Sequence, residues 1–549
     1  MWQRLSIILA YLGITLIIGI VFRKRASMNK VEFFLAGRGV GRLLLFFTMA
    51  ATNFSAFTIF GLSGAGYRIG YAFYPVMGFG TGFMALSFLL IGKPILLLSK
   101  DRGYITPSDF IADRYGAPWL KRLFSLVMIV FTLPYIAIQA IASGKSLNAL
   151  VGIPYLSGAL LITAFIVVYV TLGGMRSIVW TDLIQASMMI VFTMAAFIII
   201  FRRSGGFVRA HEEVYSSFPA LFSRPGQDGS MLFGIWFGYL FLWFFADPMF
   251  PQLFQRFIAA KDEKSLNTTV VLYPLITTIL FFLTVSIGVL GRHTFPNLSP
   301  AESDAVFPLL LQRYAGVFVS TLLITGSLAA LMSTMDSQLL TLTSLITVDF
   351  VHFKKREVLK EKGVIVALGV LGFLIAIKPP QTILDFVSKT TFNGLAVLAP
   401  TVIGGLYWKR ANRYAAAASI VAGEGLVLAF YFKLLSVPGI LPVVPILAAT
   451  TVVFIAVSLL STAPGENTGI VTLIYPGIWP WVLVFAGLFI LGNDFWAWNR
   501  EPIFVIGLPL WVWYFVGLGI LLSVVYKVFV LREAKGRGPK GSGKAVKPT

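Results

Sequence analysis

The sequence predicts an all-α polytopic membrane protein of about 15 transmembrane helices. Three observations predict it. The 549-residue chain is 57% hydrophobic with a mean hydropathy of +0.85. Only 12% of its residues are charged, against about 25% in a soluble protein. Apolar runs of roughly 20 residues recur from end to end, each long enough to cross a bilayer as a helix. Barrel strands would alternate apolar and polar residues over about ten positions, and these runs do not.

In chain order the runs place helices at about 5–22, 43–70, 73–98, 120–143, 152–172, 177–201, 231–255, 266–291, 314–347, 363–378, 385–407, 412–434, 438–460, 473–493 and 503–528. RKR, rather than a small-residue cleavage site, follows the first run, so a retained helix is expected instead of a signal peptide. The second run holds MAATNFSAFTIFGLSGAGY (49–67), with Thr52, Asn53 and Ser55 inside the span and a small-residue stretch after them. The connection 100–122 predicts a short surface helix starting at Ser108, just after Pro107. In the sixth run, Asp182 lies just inside the span; it either binds an ion or bonds a neighbouring helix. The longest outside connection, 202–230, leaves no room for a soluble domain. In the seventh run, GIWFGYLFLWFFADPMFPQLFQRF (234–257), Pro248 and Pro251 remove backbone donors in midspan and Asp247 stands at the break. An intramembrane carboxylate beside a break is a functional candidate; the alternative is a kink with the acid bonded to another helix. Glu424 is a further buried acid without a companion motif.

The net charge of +21 marks topology rather than nucleic-acid binding. Of the 44 lysines and arginines, alternate connections hold roughly 31 on one side and 13 on the other. The basic side carries RKRASMNK (23–30), the 100–122 loop, KKREVLKEK (354–362), WKRANR (408–413) and the tail. By the positive-inside rule that side is cytoplasmic, which puts the N-terminus outside and the C-terminus inside the plasma (inner) membrane. Residues 1–42 form a first helix with a basic loop, 408–530 form additional helices, and 531–549 form a basic, disordered tail. Zero cysteines exclude disulfides and thiol catalysis. No Walker, Rossmann or kinase pattern is present, which argues against ATP-driven transport and enzymatic catalysis.

The ninth run, LAALMSTMDSQLLTLTSLITVDF (328–350), is the most polar for its place. At 100° per residue, Ser333, Thr334, Asp336, Ser337, Thr341, Thr343, Ser344 and Thr347 share one half of the helix. A carboxylate facing lipid costs at least about 2.5 kcal/mol, so that half must face protein or water. Any single hydroxyl is accounted for by a bond back to its own helix or to a neighbour. The cluster as a whole offers hard oxygen donors for a small hard cation: adjacent Ser333 and Thr334, the carbonyl of Ala330 and a nearby carboxylate.

ATNFSAFTIFGLSGAGYRIG, TLGGMRSIVWTDLIQASM and LAALMSTMDSQLLTLTSLITVD resemble, in order and spacing, signature segments of the sodium/solute symporter family, whose members include sodium/proline-type symporters. YWKRANRYAAAASIVAG is similar to its late segment, and the resemblance covers roughly 30–430. It implies a leucine-transporter-like core of two inverted five-helix repeats, here about 43–201 and 231–407, each opening on a broken helix. It implies a sodium site from the carbonyls of Ala51, Phe54 and Ala330 and the hydroxyls of Ser333 and Thr334. A second cation or proton position falls on Asp182, Asp336 and Ser337. Solute candidates are Asn53, Phe57, Thr58, Trp243, Asp247 and Pro251. Asn53 is an amide where sodium/proline relatives carry an acid, and carboxylates at both 182 and 336 depart from members with a hydroxyl at the latter.

The expected function is sodium-coupled import of a small organic solute, such as an amino acid like proline or a monocarboxylate, with the lipid bilayer as the other partner and no nucleic acid. The alternatives are a proton-coupled symporter of the same fold and a non-transporting membrane solute sensor.

Overall fold

The computed structural model describes residues 2–22, 29–351, 357–379, 391–461 and 479–536. Helices dominate, in the order the hydropathy lays down. The first is α1 (Trp2–Val21). A bent pair follows: α2 (Arg42–Asn53) and α3 (Phe57–Phe73), turned by 60°. Then come α4 (Val76–Arg102), the short α5 (Asp109–Tyr115), α6 (Pro118–Val151) and α7 (Tyr155–Arg203). The connection after α7 holds α8 (Phe207–Ser217). A second bent pair, α9 (Phe233–Met249) and α10 (Pro251–Ala259), turns by 53°. The chain continues through α11 (Glu263–Thr294), α12 (Val317–Phe350), α13 (Glu357–Ala376), α14 (Phe392–Tyr407), α15 (Arg413–Tyr431), α16 (Val443–Leu460), α17 (Trp479–Leu491) and α18 (Leu510–Gly536).

Among the described residues, nine helices are long and apolar enough to cross a membrane, or eleven if each bent pair is one span. The sequence-based count of 15 is higher for identifiable reasons. The runs 152–172 and 177–201 form one 49-residue element, α7, interrupted at Gly174. There φ is +63°, and a Cβ would come within 2.9 Å of the Phe33 carbonyl, so only glycine fits. α13 starts with the charged stretch EVLKEK, which leaves it too short an uncharged run to count as a span. α14 and α17 are short because parts of the runs 385–407 and 473–493 fall outside the described residues, as do most of the tail and the basic segments 23–28 and 352–356. The last helix begins at Leu510, not near 503: Phe504–Val505 pairs antiparallel with Leu508–Pro509 around Ile506 and Gly507, both at positive φ, a two-residue hairpin. The helix expected after Ser108 is α5.

From Leu323 to Ser344, α12 is buried on all sides. It crosses α2 and packs between α6, α7 and α13, so Leu331, Met335, Leu339 and Leu342 are as buried as its polar half. Apolar contact with protein and with lipid read alike in sequence. The small residues after the first break serve close packing: a Cβ on Gly66 would strike the Val285 backbone of α11, and one on Gly288 of α11 would strike the Ser63 backbone.

Candidate functional site

The site is built where the two breaks meet α12. At the first, Phe54 leaves helical geometry (φ −84°, ψ 84°) and α2 ends. The freed backbone finds side-chain partners: the Ala56 amide donates to Gln139 Oε1 at 3.2 Å and the Phe57 amide to Ser55 Oγ at 3.1 Å. Ser55 Oγ also lies 2.9 Å from the Tyr135 hydroxyl. At the second break Phe250 is extended (ψ 123°) between Met249 and Pro251, where the prolines withhold their amides.

Against the last turn of α2 stand two hydroxyls of α12. Ser333 Oγ donates to the carbonyls of Ala51 at 2.9 Å and Ala330 at 3.0 Å. Thr334 Oγ1 reaches the Thr52 carbonyl at 3.1 Å, Ala330 at 3.3 Å and Ala51 at 3.4 Å. Three carbonyls and two hydroxyls therefore converge, all buried. Such neutral, hard oxygens suit an alkali cation, and a hydroxyl that rotates its proton away presents a lone pair instead. Neither hydroxyl bonds the Phe54 carbonyl; Thr52 is the added member.

One turn toward the other face lies a charged cluster. Asp182 Oδ2 accepts from Thr48 Oγ1 at 2.5 Å and from Arg256 Nη2 at 3.0 Å. Arg256, at the end of α10, also donates to Thr48 Oγ1 (2.9 Å), Ser337 Oγ (2.6 Å) and the Gln252 carbonyl (2.9 Å). Ser337 Oγ donates to Asp336 Oδ1 at 2.9 Å, and the Tyr169 hydroxyl bonds Asp336 Oδ2. Thr52 Oγ1 lies 3.2 Å from Ser337 Oγ and links this cluster to the oxygen cluster. Asp182, Asp336 and Ser337 thus come together, with a guanidinium among them. Asp182 Oδ1 is buried without a partner.

Between the breaks aromatic side chains gather around Asn53 and Asp247. Asn53 Nδ2 donates to Asp247 Oδ2 at 3.1 Å and to the Tyr273 hydroxyl. Trp243 faces Phe57 (ring centroids 5.8 Å apart) and Phe392 (5.0 Å). Phe392 also contacts Phe250 and Tyr135. Thr58 is buried on the first turn of α3, and Pro251 opens α10. Asp247 Oδ1, Trp243 Nε1 and Asn393 Oδ1 are buried without hydrogen-bond partners, so a bound molecule has one donor and two acceptors to meet.

Sequence reasoning missed Thr48, Tyr169, Arg256, Tyr273 and Phe392, and it named Thr52 only as a polar residue inside the span. Arg256 carried a signal, a cation closing an apolar run, but counted only as cytoplasmic charge. The tyrosines and Phe392 carried none, since aromatic residues are common throughout the spans. Thr343 and Thr347 bond back to the carbonyls of Leu339 and Thr343, and so belong to the helix rather than the site.

A family model described as the Sodium:solute symporter family matches residues 33–423. The Sodium/pantothenate symporter of Escherichia coli (strain K12) is 28% identical over 484 residues, 86% of this chain and 100% of the relative. The osmoregulated proline transporter OpuE of Bacillus subtilis (strain 168) is 26% identical over 84% of this chain and 95% of its own. Among solved structures, a substrate-bound, outward-open Na+-coupled sialic acid symporter superposes with a TM-score of 0.70 at 19% identity, over 85% of this chain and 99% of that one. The architecture is thus a leucine-transporter-like core of two inverted five-helix repeats with additional helices.

Proposed function

The chain belongs to the sodium:solute symporter family, and from that premise we propose that it imports a small organic solute by sodium-coupled secondary active transport. The observation that carries the reading is the convergence of the Ala51, Thr52 and Ala330 carbonyls with the Ser333 and Thr334 hydroxyls. A sodium ion there bridges α2 to α12. It fixes the broken end of α2, which carries Asn53 and, through it, Asp247. Ion and solute thereby raise each other's affinity. The loaded core then rocks from an outside-facing to an inside-facing state, and low cytoplasmic sodium lets the ion leave first.

Arg256 bears on ion number. In this conformation its guanidinium supplies the positive charge between Asp182 and Asp336, so one sodium crosses per cycle. A second cation enters at Asp182 Oδ1, Asp336 and Ser337 only when Arg256 withdraws. The solute meets Phe57, Thr58 and Trp243, and Pro251 shapes the site beside them. It carries a hydroxyl or ammonium donor for Asp247 Oδ1 and an acceptor for Trp243 Nε1. Hydroxy acids such as pantothenate and amino acids such as proline, the solutes in the names of the relatives, both offer a donor with an acceptor. The basic connections put the N-terminus outside and the C-terminus in the cytoplasm.

A thermal-shift screen of amino acids, hydroxy acids and monocarboxylates, with sodium and with choline, tests the reading. Ligand that binds only the folded form raises its melting temperature. The solute is expected to stabilise more in sodium than in choline. Equal stabilisation in both, with uptake driven by a pH gradient, would favour proton coupling instead. Binding without uptake into proteoliposomes would favour a sensor.

A further inference from the structure

We infer that α18 is a working part of the carrier, clamped to α4 and α11 at its inner end and along its length, tied at its outer end to the connection before α9, and travelling with α4 and α11. The family-model match ends at residue 423, so it assigns this helix nothing. At the inner end, Lys93 of α4 is 3% exposed and lies between two carboxylates from distant parts of the chain. Glu263, in the first turn of α11, is 3.1 Å away, and Glu533 of α18 is bonded to the same ammonium. A lysine buried inside a span is costly unless paired, so this three-way contact resists separation of the helices.

Along its length α18 packs on α11 and α4. Ser523 Oγ bonds the Val271 carbonyl, and the Tyr526 hydroxyl donates to the Phe83 carbonyl at 3.0 Å. Gly519 lies so close to α11 that a Cβ there would come within 3.1 Å of the Thr278 Cβ. At the outer end, Asp494, between α17 and α18, accepts two bonds of 2.7 Å from Arg224. Both side chains are buried, and the guanidinium lies 4.3 Å from the Trp498 ring centroid and 5.5 Å from that of Trp511 on α18. The α15–α16 pair attaches elsewhere, against α6, α9 and α14.

The inference rests on the carrier reading, in which the core rocks between outside-facing and inside-facing states, and takes α4 and α11 as the part that rocks against α6, α7 and α12. A helix fixed to α4 and α11 at its inner end and along its length must rock with them. Lys93, Glu263 and Glu533 are then positioning residues for turnover, with no contact to solute.

Because the chain has no cysteine, the pair Gly519→Cys and Thr278→Cys can be cross-linked without competing thiols. Sodium-driven uptake of radiolabelled proline or pantothenate, whichever the unsubstituted protein takes up, is expected to continue in proteoliposomes at the reduced protein's rate after cross-linking. Loss of uptake on oxidation, restored by reductant, would overturn the inference. Lys93→Met is expected to lower the maximal uptake rate roughly tenfold while sodium-dependent stabilisation by solute persists, and Lys93→Arg to retain the rate. An unchanged rate in Lys93→Met would equally overturn it. If the unsubstituted protein shows no sodium-driven uptake of any solute, the carrier reading falls by itself. The clamp is then read from the melting temperature, lower in Lys93→Met and unchanged in Lys93→Arg; no difference between them refutes it.

Discussion

At the scale of the residue, Arg256 carries more of the site's electrostatics than any position the motifs pick out. Its guanidinium lies between a carboxylate from α7 and one from α12, and without it two buried acids share one pocket. Arg256→Gln is expected to draw a second sodium there, so the Hill slope of sodium activation rises from about one toward two. An active variant with an unchanged slope refutes that role. His211 of α8 makes a separate prediction. Its Nε2 lies 2.6 Å from the Tyr71 hydroxyl, its Nδ1 is 2.7 Å from the Phe207 carbonyl, and Phe201 stacks on the ring. Burial holds this imidazole at about 4, below its ordinary 6.5. The unfolded chain therefore binds a proton between those values while the folded one does not, and stability falls as pH drops through that window. Melting temperature should decline from pH 7 to pH 5, and His211→Gln should flatten the decline. Ser333 and Thr334 were legible because their segment, with a carboxylate at Asp336, resembles a signature segment of the family; Thr52 stood out only as a polar residue inside the span, and its carbonyl did not, because every residue has one.

At the scale of the element, both broken helices were legible, and for different reasons. Pro248 and Pro251 withhold backbone donors outright, whereas the break at Phe54 is supported by Ser55, Gln139 and Tyr135, from other turns and another helix. The polar residues at 52–55 announced something there without specifying its geometry. The hairpin at 504–509 escaped, since its residues continue the apolar run and only the positive φ of Ile506 and Gly507 sets it apart. The contact of α3 with α11 gives a direct test. Gly66→Val places a branched side chain against the Val285 backbone and should destabilise the protein by about 1–3 kcal/mol, read as a lower melting temperature. An unchanged melting temperature would mean the two helices do not approach so closely.

At the scale of the whole molecule, membrane class and helix order followed from hydropathy, and the core architecture followed from three motifs in register. The attachment of the last helices did not, because lipid-facing and protein-facing apolar surfaces share one composition. Orientation is open to measurement in a cysteine-free chain. A cysteine in place of the exposed Arg209 should react with an impermeant maleimide on intact cells, and one in place of Lys409 only after permeabilisation; the reverse pattern inverts the topology. The account stands on the oxygen cluster between α2 and α12, and its most direct measurement is solute uptake into proteoliposomes by the unsubstituted protein and by Ser333→Ala with Thr334→Ala, with and without an inward sodium gradient. The doubly substituted protein should insert normally and lose its sodium stimulation. Sodium stimulation equal to that of the unsubstituted protein would contradict it.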